Sequence, residues 1–295
     1  MNPQPPPVCD YNGSDYQTSF WEKGGRDYED QVEAVALQRL LPKAGNILLE
    51  VGAGAGRNTP RYQGYDRLVL LDYSLTQLQQ ARARLGASSR FTYVAGNVYN
   101  LPFAAGLFDC ATMIRTLHHM SDAPQALAQI RRVLQPGATF ILEYANKYNL
   151  KAILRYLLRQ QSWSPFTLEP VEFTALNFDF HPKSIRTWLL ENGFSIERQL
   201  TVSHFRMRLL KRIIPVKLLV KMDSLAQLTG NLWQLTPSVF LRAQAQGHTP
   251  IAAQGHFFRC PQCNGIELTK LPEKLICTTC SREWLICDGI YNFRD

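Results

Sequence analysis

The stretch Ile47-Leu48-Leu49-Glu50-Val51-Gly52-Ala53-Gly54-Ala55-Gly56 decides the fold of this 295-residue chain. A short apolar run ends in an acid and breaks into alternating glycines, the pattern of a buried strand turning sharply into a helix. Glycine carries no Cβ, so backbone at such a turn can approach a ligand closely. A second apolar run, Leu68-Val69-Leu70-Leu71, ends at Asp72, twenty residues beyond Gly52. An acid at the tip of a second strand suits bonding to a ribose diol. The pattern predicts a nucleoside-binding α/β domain.

The spacing narrows the nucleoside. A dinucleotide fingerprint reads G-x-G-x-x-G and faces a pyrophosphate with a helix N-terminus. Here the glycines alternate as G-x-G-x-G, and the Glu50 carboxylate would repel a phosphate and favour a positively charged ligand.

The segment resembles the first motif, close to E/D-x-G-x-G-x-G, of the class I S-adenosylmethionine-dependent methyltransferases. Further stretches resemble that family in the right order over roughly residues 25–145. Leu71-Asp72-Tyr73-Ser74 looks like the second motif, whose acid holds the cofactor ribose. Gly96-Asn97-Val98-Tyr99-Asn100-Leu101-Pro102-Phe103 looks like the exit of the third strand, with Asn97 where the family usually has an aspartate on the adenine amino group. An amide oxygen still accepts that bond. Phe108-Asp109-Cys110-Ala111 looks like the start of strand four, and Arg115-Thr116-Leu117-His118-His119-Met120 like the stretch after it. Arg131-Arg132-Val133-Leu134-Gln135-Pro136-Gly137-Ala138 resembles the run before strand five. The resemblance implies S-adenosylmethionine as cofactor, held by Glu50, Gly52, Ala53, Gly54, Gly56, Asp72, Tyr73, Asn97, Val98 and Arg115.

Composition agrees with a globular enzyme. The length allows a sizeable core and a small extra domain. No apolar run approaches the roughly 18 residues of a membrane span, and no cleavable hydrophobic signal follows the start. A cytoplasmic protein is the expectation, in which seven cysteines point to metal or free thiols rather than disulfides.

Pattern places the elements. Residues 1–24 read as a flexible N-terminal segment, 25–250 as the methyltransferase domain and 251–295 as a zinc ribbon. Gln31 to Leu41 reads as a helix stopped by Pro42 and Gly45. Ser74 begins another, with Gln77 as capping partner, and Ser121 is placed to cap a third. Phe91–Ala95, Phe108–Ile114 and Thr139–Tyr144 read as strands three to five. Strand six starts at Phe194, and Val239–Ala243 reads as strand seven. The order predicts a doubly wound Rossmann-like α/β sheet, parallel except for a late antiparallel strand, with inserted helical cap elements over 146–235.

That inserted region carries the charge. The chain has a formal net charge of +8, and between 147 and 221 stand 13 Lys and Arg against 5 acids. Lys147, Lys151, Arg155 and Arg159 recur every four residues, with Leu150, Ile153, Leu154, Leu157 and Leu158 on the other face, the pattern of a basic amphipathic helix. Arg206–Lys221 repeats the mixture around Pro215. Three uses stay open: a solvated face on a cap or dimer element, contact with an anionic or lipid-like substrate or a membrane surface, and nucleic acid binding.

The tail holds a second motif. Cys260-Pro261-Gln262-Cys263 is followed by Cys277-Thr278-Thr279-Cys280. Two C-x-x-C pairs close a tetrahedral thiolate site and leave no open position, so a structural zinc is expected at Cys260, Cys263, Cys277 and Cys280. Cys287 lies outside the pairs and is expected to pack. Leu275-Ile276-Cys277 through Trp284-Leu285-Ile286-Cys287-Asp288-Gly289-Ile290 resembles small zinc-ribbon activators of tRNA and protein methyltransferases. The segment balances five basic groups with five acids, a poor phosphate footprint. A built-in stabilising partner of the catalytic domain is the better reading.

Transfer of an activated sulfonium methyl needs an in-line nucleophile at close range. His118 and His119 follow strand four, where ligands gather, and are candidates for a base, with capping or cofactor packing as the alternative. Arg115 is placed to meet the cofactor carboxylate or the substrate. Asn146 and Lys147 could line an acceptor pocket, and Tyr11, Tyr16 and Tyr28 could cover the cofactor. No N/D-P-P-Y-like motif stands after strand four, where the chain reads Met113-Ile114-Arg115-Thr116, and no P-C motif occurs. These absences disfavour nucleobase methylation. The expected function is methyl transfer to a small or lipid-like acceptor, with peripheral membrane contact open. The alternatives are an RNA methyltransferase and a noncatalytic cofactor-binding interaction protein.

Overall fold

The computed structural model describes residues 6–13, 19, 21 and 23–294. Its centre is a parallel sheet of β1 (Gly45–Val51), β2 (Tyr65–Asp72), β3 (Phe91–Ala95), β4 (Phe108–Met113) and β5 (Leu134–Ala145). Beyond β5 lie β9 (Ser238–Ala245) and β8 (Phe194–Val202), in the order β3-β2-β1-β4-β5-β9-β8. β9 runs antiparallel to both neighbours, as the sequence pattern predicts for its last strand.

Alternation along the strands buries both faces. Leu48, Leu68, Leu70 and Cys110 pack on one side with Leu78 and Ala81 of α2 (Leu75–Leu85). On that same side Ile141, Leu200 and Phe240 meet Val32, Ala36, Leu37 and Leu40 of α1 (Asp27–Leu40). Leu49, Val51, Ala111, Phe140 and Leu142 face the other way, toward α3 (Ala123–Val133) and α5 (Pro182–Glu191). Two layers of helices on one sheet is the doubly wound arrangement.

Local details depart from the pattern. α1 starts at Asp27, four residues before the expected Gln31, with acids in its first turn. α3 is capped by Asp122, whose carboxylate accepts Gln125 N at 2.9 Å, and not by Ser121. Ser74 Oγ does accept Gln77 N, at 3.3 Å. The largest correction follows the glycines. No α-helix forms between β1 and β2; the chain makes turns and a short 3-10 stretch, Thr59–Arg61, with Pro60 inside it. Thirteen residues separate the two strands, and three glycines at positive φ followed by Pro60 break up the span.

The 146–235 region is built from α4 (Leu150–Leu157), the hairpin β6 (Val171–Thr174) and β7 (Asn177–Asp179), α5, β8, α6 (Arg208–Ile213) and α7 (Val216–Ala226). Lys147 does not belong to the basic helix. It is fully buried, and its ammonium donates to Thr167 Oγ1 at 2.9 Å and Glu169 O at 2.6 Å. The leucines of α4 face outward, not into a core.

The tail forms β10 (Leu268–Lys270), β11 (Lys274–Cys277), β12 (Glu283–Cys287) and β13 (Ile290–Asn292). Asp288 and Gly289 take positive φ of 50° and 71° in the turn between β12 and β13, the geometry of a tight Asp-Gly hairpin. β13 then pairs in parallel with β3. The ribbon is therefore continuous with the main sheet, and Cys260, Leu275, Trp284 and Phe293 belong to the main core cluster. Cys287 is exposed, not packed as its sequence context suggests. Among the described residues no helix is long and apolar enough to cross a membrane.

Candidate functional site

The strands β1, β2, β3 and β4 end at one edge, and a cleft opens there between Val51–Ala55, Leu71–Tyr73, Gly96, Val98 and Ile114–Thr116. It is partly open to solvent, with apolar and polar groups together in its wall.

Asp72 stands at its centre. One carboxylate oxygen accepts Gly54 N at 2.8 Å and the other Ser74 N at 2.9 Å. Those bonds fix the carboxylate and leave each oxygen a second lone pair. Burial raises its pKa, and the backbone donors oppose that shift. The two glycines beside it act differently. Gly52 has φ +68°, and an added Cβ would stand 2.1 Å from Thr116 Oγ1, so the protein itself forbids a side chain there. At Gly54, with φ +53°, the nearest atom to an added Cβ is Gln77 Oε1 at 3.8 Å. The space it would take belongs to the cleft.

A charge network closes the opposite wall. Glu33 of α1 is fully buried between Arg57 and Arg115, accepting Arg57 Nη2 at 2.8 Å and Arg115 Nε at 2.7 Å. Arg57 also pairs with Asp30, and Trp21 covers it with the guanidinium carbon 3.6 Å from the ring centroid. Burial pushes the Glu33 carboxyl up, but Arg115 and Arg57 outweigh it and hold the group below its ordinary value. Arg57, Arg115 and Trp21 all line the cleft. Sequence reasoning missed Glu33, Arg57 and Trp21, because no local pattern shows that α1 folds back over the glycine turn.

Residues 8–13 lie over the cleft's other side. Gly13 N donates to Thr76 Oγ1 at 3.0 Å. Tyr11 Oη lies 3.1 Å from His119 Nε2, and His119 Nδ1 lies 3.0 Å from Leu176 O. A carbonyl only accepts, so Nδ1 carries the proton and Nε2 accepts from the tyrosine. Burial lowers the pKa of His119, which keeps the ring neutral near pH 7. The His118 ring lies tilted against it, centroids 4.0 Å apart, but does not line the cleft.

Several other candidates fall outside the cleft. Glu50 is buried behind the turn, accepting Thr59 Oγ1 at 2.6 Å, and burial pushes its carboxyl up to about 7. Gly56 packs against Leu85 and Thr59. Asn97 Oδ1 accepts Tyr99 N at 2.9 Å, so the amide caps a turn, and Gly96 and Val98 line the cleft on either side of it. Tyr28 is buried in α1 and donates to Asp223 Oδ2 at 2.6 Å, so it does not cover the cleft. Asn146 donates to Gln234 O and Thr236 O at 2.8 Å, a structural tie. Tyr16 lies outside the described residues.

Two carboxylates that no motif marks sit near the end of β5. Glu143 accepts Arg115 N at 2.9 Å and Ser238 Oγ at 2.7 Å. Asp179, at the end of β7, is pushed up to about 7 by burial and then by Glu143.

This arrangement meets comparison with known proteins. A family profile described as a methyltransferase domain matches residues 49–142, the stretch that runs from the glycine turn through β5. The chain carries a methyltransferase domain over this stretch. An O-methyltransferase of Penicillium expansum is 32% identical over 145 residues, covering 46% of this chain and 52% of that protein. A demethylmenaquinone methyltransferase of Corynebacterium kroppenstedtii is 37% identical over 101 residues, covering 34% of this chain and 42% of that protein. The chain thus spans about half, or less, of the length of these relatives. A solved complex of the Haloferax volcanii Trm112 methyltransferase activator with a methyltransferase aligns with TM-score 0.56 and 17% identity, over 79% of this chain and 96% of that one. That likeness concerns the fold.

The second centre lies in the ribbon. The four sulfurs of Cys260, Cys263, Cys277 and Cys280 lie within 4.8 Å of one another. Cys260 Sγ is 3.7 Å from Cys280 Sγ, and Cys263 Sγ is 3.5 Å from Cys277 Sγ. A tetrahedron with metal–sulfur bonds of about 2.3 Å has edges of about 3.8 Å. The donor set and its spacing therefore fit a closed tetrathiolate metal site. The ribbon around it grips the methyltransferase domain. Arg259 donates to Asn100 Oδ1 at 2.7 Å, Asn100 to Pro261 O at 2.8 Å, and Phe293 N to Ala95 O at 2.7 Å.

Proposed function

We propose that the protein transfers the methyl group of S-adenosylmethionine to a small or lipid-like acceptor. The observation that carries this reading is the Asp72 carboxylate, aligned by Gly54 N and Ser74 N and aimed into a cleft from which the glycine turn keeps side chains away. In this reading Asp72 accepts the ribose hydroxyls, Gly52, Ala53 and Gly54 admit the cofactor to the backbone, and Tyr73 and Val98 flank the adenine. Arg115, anchored by Glu33, faces the cofactor's amino acid end. The bound cofactor supplies an activated methyl, so the chain's own task is to orient the acceptor and exclude water.

A proton lost from the acceptor needs a home. His119 is neutral and reached through the Tyr11 hydroxyl, which makes this pair the candidate acceptor on the cleft. His118 is not, because it is not in the cleft wall. Support for the acceptor class comes from the relatives, one named for O-methylation and one for a menaquinone precursor. Incubation with methyl-labelled cofactor and fractionated apolar metabolites, phenols, lipids and RNA tests the assignment. Label in an apolar or phenolic product is expected; label confined to RNA would overturn it.

For the ribbon we infer a structural zinc at the four cysteines, which fits a reducing compartment such as the cytoplasm. Its parallel pairing of β13 with β3 supports a partner in cis, bracing the strand that leads to Gly96 and Val98.

A further inference from the structure

The elements after β5 turn apolar side chains outward. In α4 and its C-cap, Leu150, Leu154, Leu157 and Leu158 are 52%, 49%, 64% and 66% exposed. Their spacing puts them on one helical stripe. Lys151 and Arg155 form the adjoining stripe, Arg159 follows just past the helix end, and all three are exposed. Only Ala152, with half-buried Ile153 and Tyr156, faces the protein.

α7 repeats the arrangement. Leu218, Met222 and Leu225 are exposed at i, i+4 and i+7, with exposed Lys217 and Lys221 beside them, while Leu219 and Asp223 are buried inward. After α7 the chain exposes Leu232 and Trp233 by 77% and 54%. Leu150 N donates to Leu235 O at 2.8 Å, which sets that turn against the start of α4. Ala145 pairs with Ser238, so both helices spring from the end of the sheet at which the cleft opens.

This combination selects its partner. A merely solvated basic face would keep its leucines inside. Single-stranded nucleic acid is met by cations with stacking aromatic rings, whereas the groups exposed here are chiefly aliphatic. A second copy of the chain would bring like-charged stripes together. An anionic bilayer accommodates both sets, with leucines among the acyl chains and cations at the phosphates. We propose that α4, α7 and the 228–233 turn seat the protein on an anionic phospholipid bilayer. The docking deepens the lipid-like acceptor reading and rests on it only for what the cleft would draw from the membrane.

The test is flotation of the full chain with vesicles of phosphatidylcholine containing phosphatidylglycerol, against phosphatidylcholine alone. Binding to the anionic vesicles is expected, falling roughly five-fold for each of Lys151→Gln, Arg155→Gln and Arg159→Gln. Leu154→Asp with Leu158→Asp and Leu232→Asp should abolish it. Calorimetry with S-adenosylhomocysteine should give the parent's affinity in all four variants, which shows that they fold. Failure of the parent protein to float would overturn docking. So would full binding by the leucine variant, which would mean simple charge adsorption. A dimer in light scattering that the leucine changes dissolve, or RNA retention without vesicle binding, would assign the face to those partners instead. Absence of cofactor binding in the parent protein would sink the methyltransferase reading and leave docking standing.

Discussion

Replacing Glu33 by Gln isolates the charge network that shapes the cleft wall. The carboxylate is fully buried and serves two guanidiniums, which are themselves only 11% and 18% exposed at Arg57 and Arg115. Glutamine keeps the size and one acceptor oxygen, but its NH2 would face a guanidinium donor. Removing one partner of a buried ion pair costs about 3–5 kcal/mol, because the other charge is left uncompensated. Arg57 keeps Asp30, so the lower end applies. About 3 kcal/mol at the melting midpoint should lower Tm by about 5 °C in a chain of this size. The pH dependence supplies a control. The folded pKa of Glu33 is depressed, so its stabilisation is present above the unfolded value near 4.5 and is lost as pH falls through the folded value. Urea unfolding of both proteins should show the largest gap at pH 7 and a narrowing gap below pH 4. A gap under about 0.5 kcal/mol at pH 7, or one unaffected by acid, would refute the assignment of this carboxylate as the anchor of both arginines.

Three further outcomes are expected. Glu50 is pushed up to about 7 from 4.5 by burial, so the unfolded chain ionises first and stability of the ligand-free protein should fall by about 3 kcal/mol between pH 4.5 and 7; Glu50→Gln should flatten that slope in denaturant titrations, and an unchanged slope would reassign it. Asp72→Ala should weaken S-adenosylhomocysteine binding in calorimetry by roughly 10- to 150-fold, the loss of one charge-assisted bond, and equal affinity would mean that the cleft is misassigned. Metal analysis should find close to one zinc per chain, reduced by Cys277→Ser; stripping the metal should raise hydrogen exchange in β13 and also in β3 and 96–101, because the two strands share one sheet. Reduced protein with no metal and two disulfides would defeat that reading.

Much of this was legible in local pattern. Apolar runs of strand length, an alternating glycine turn, and an acid at the tip of β2 are short-range features, and short-range sterics and hydrogen bonding produce them directly. The two C-x-x-C pairs are legible for the same reason, since each knuckle is a local loop. Pattern misled where context overrode it. A helix was expected after the glycines, but the short span to β2 holds only a 3-10 turn. Lys147 fits the four-residue repeat, yet Thr167 and Glu169 hold it inside. Asn97 and Glu50 stand at motif positions, yet each is spent on a neighbour, Tyr99 N and Thr59 Oγ1.

The sequence by itself determined the order of the main strands along the chain, the glycine turn after β1, and the cysteine set. Only the tertiary structure decided that Glu33 anchors Arg57 and Arg115, that Tyr11 reaches His119 across 108 positions, and that the ribbon extends the main sheet through β3. It also decided that the α4 leucines face outward. Amphipathic spacing states that a helix has an apolar side, but which side meets the protein depends on what else is packed there. Pairings between distant residues depend on how the chain closes its loops, and no short window of sequence carries that information.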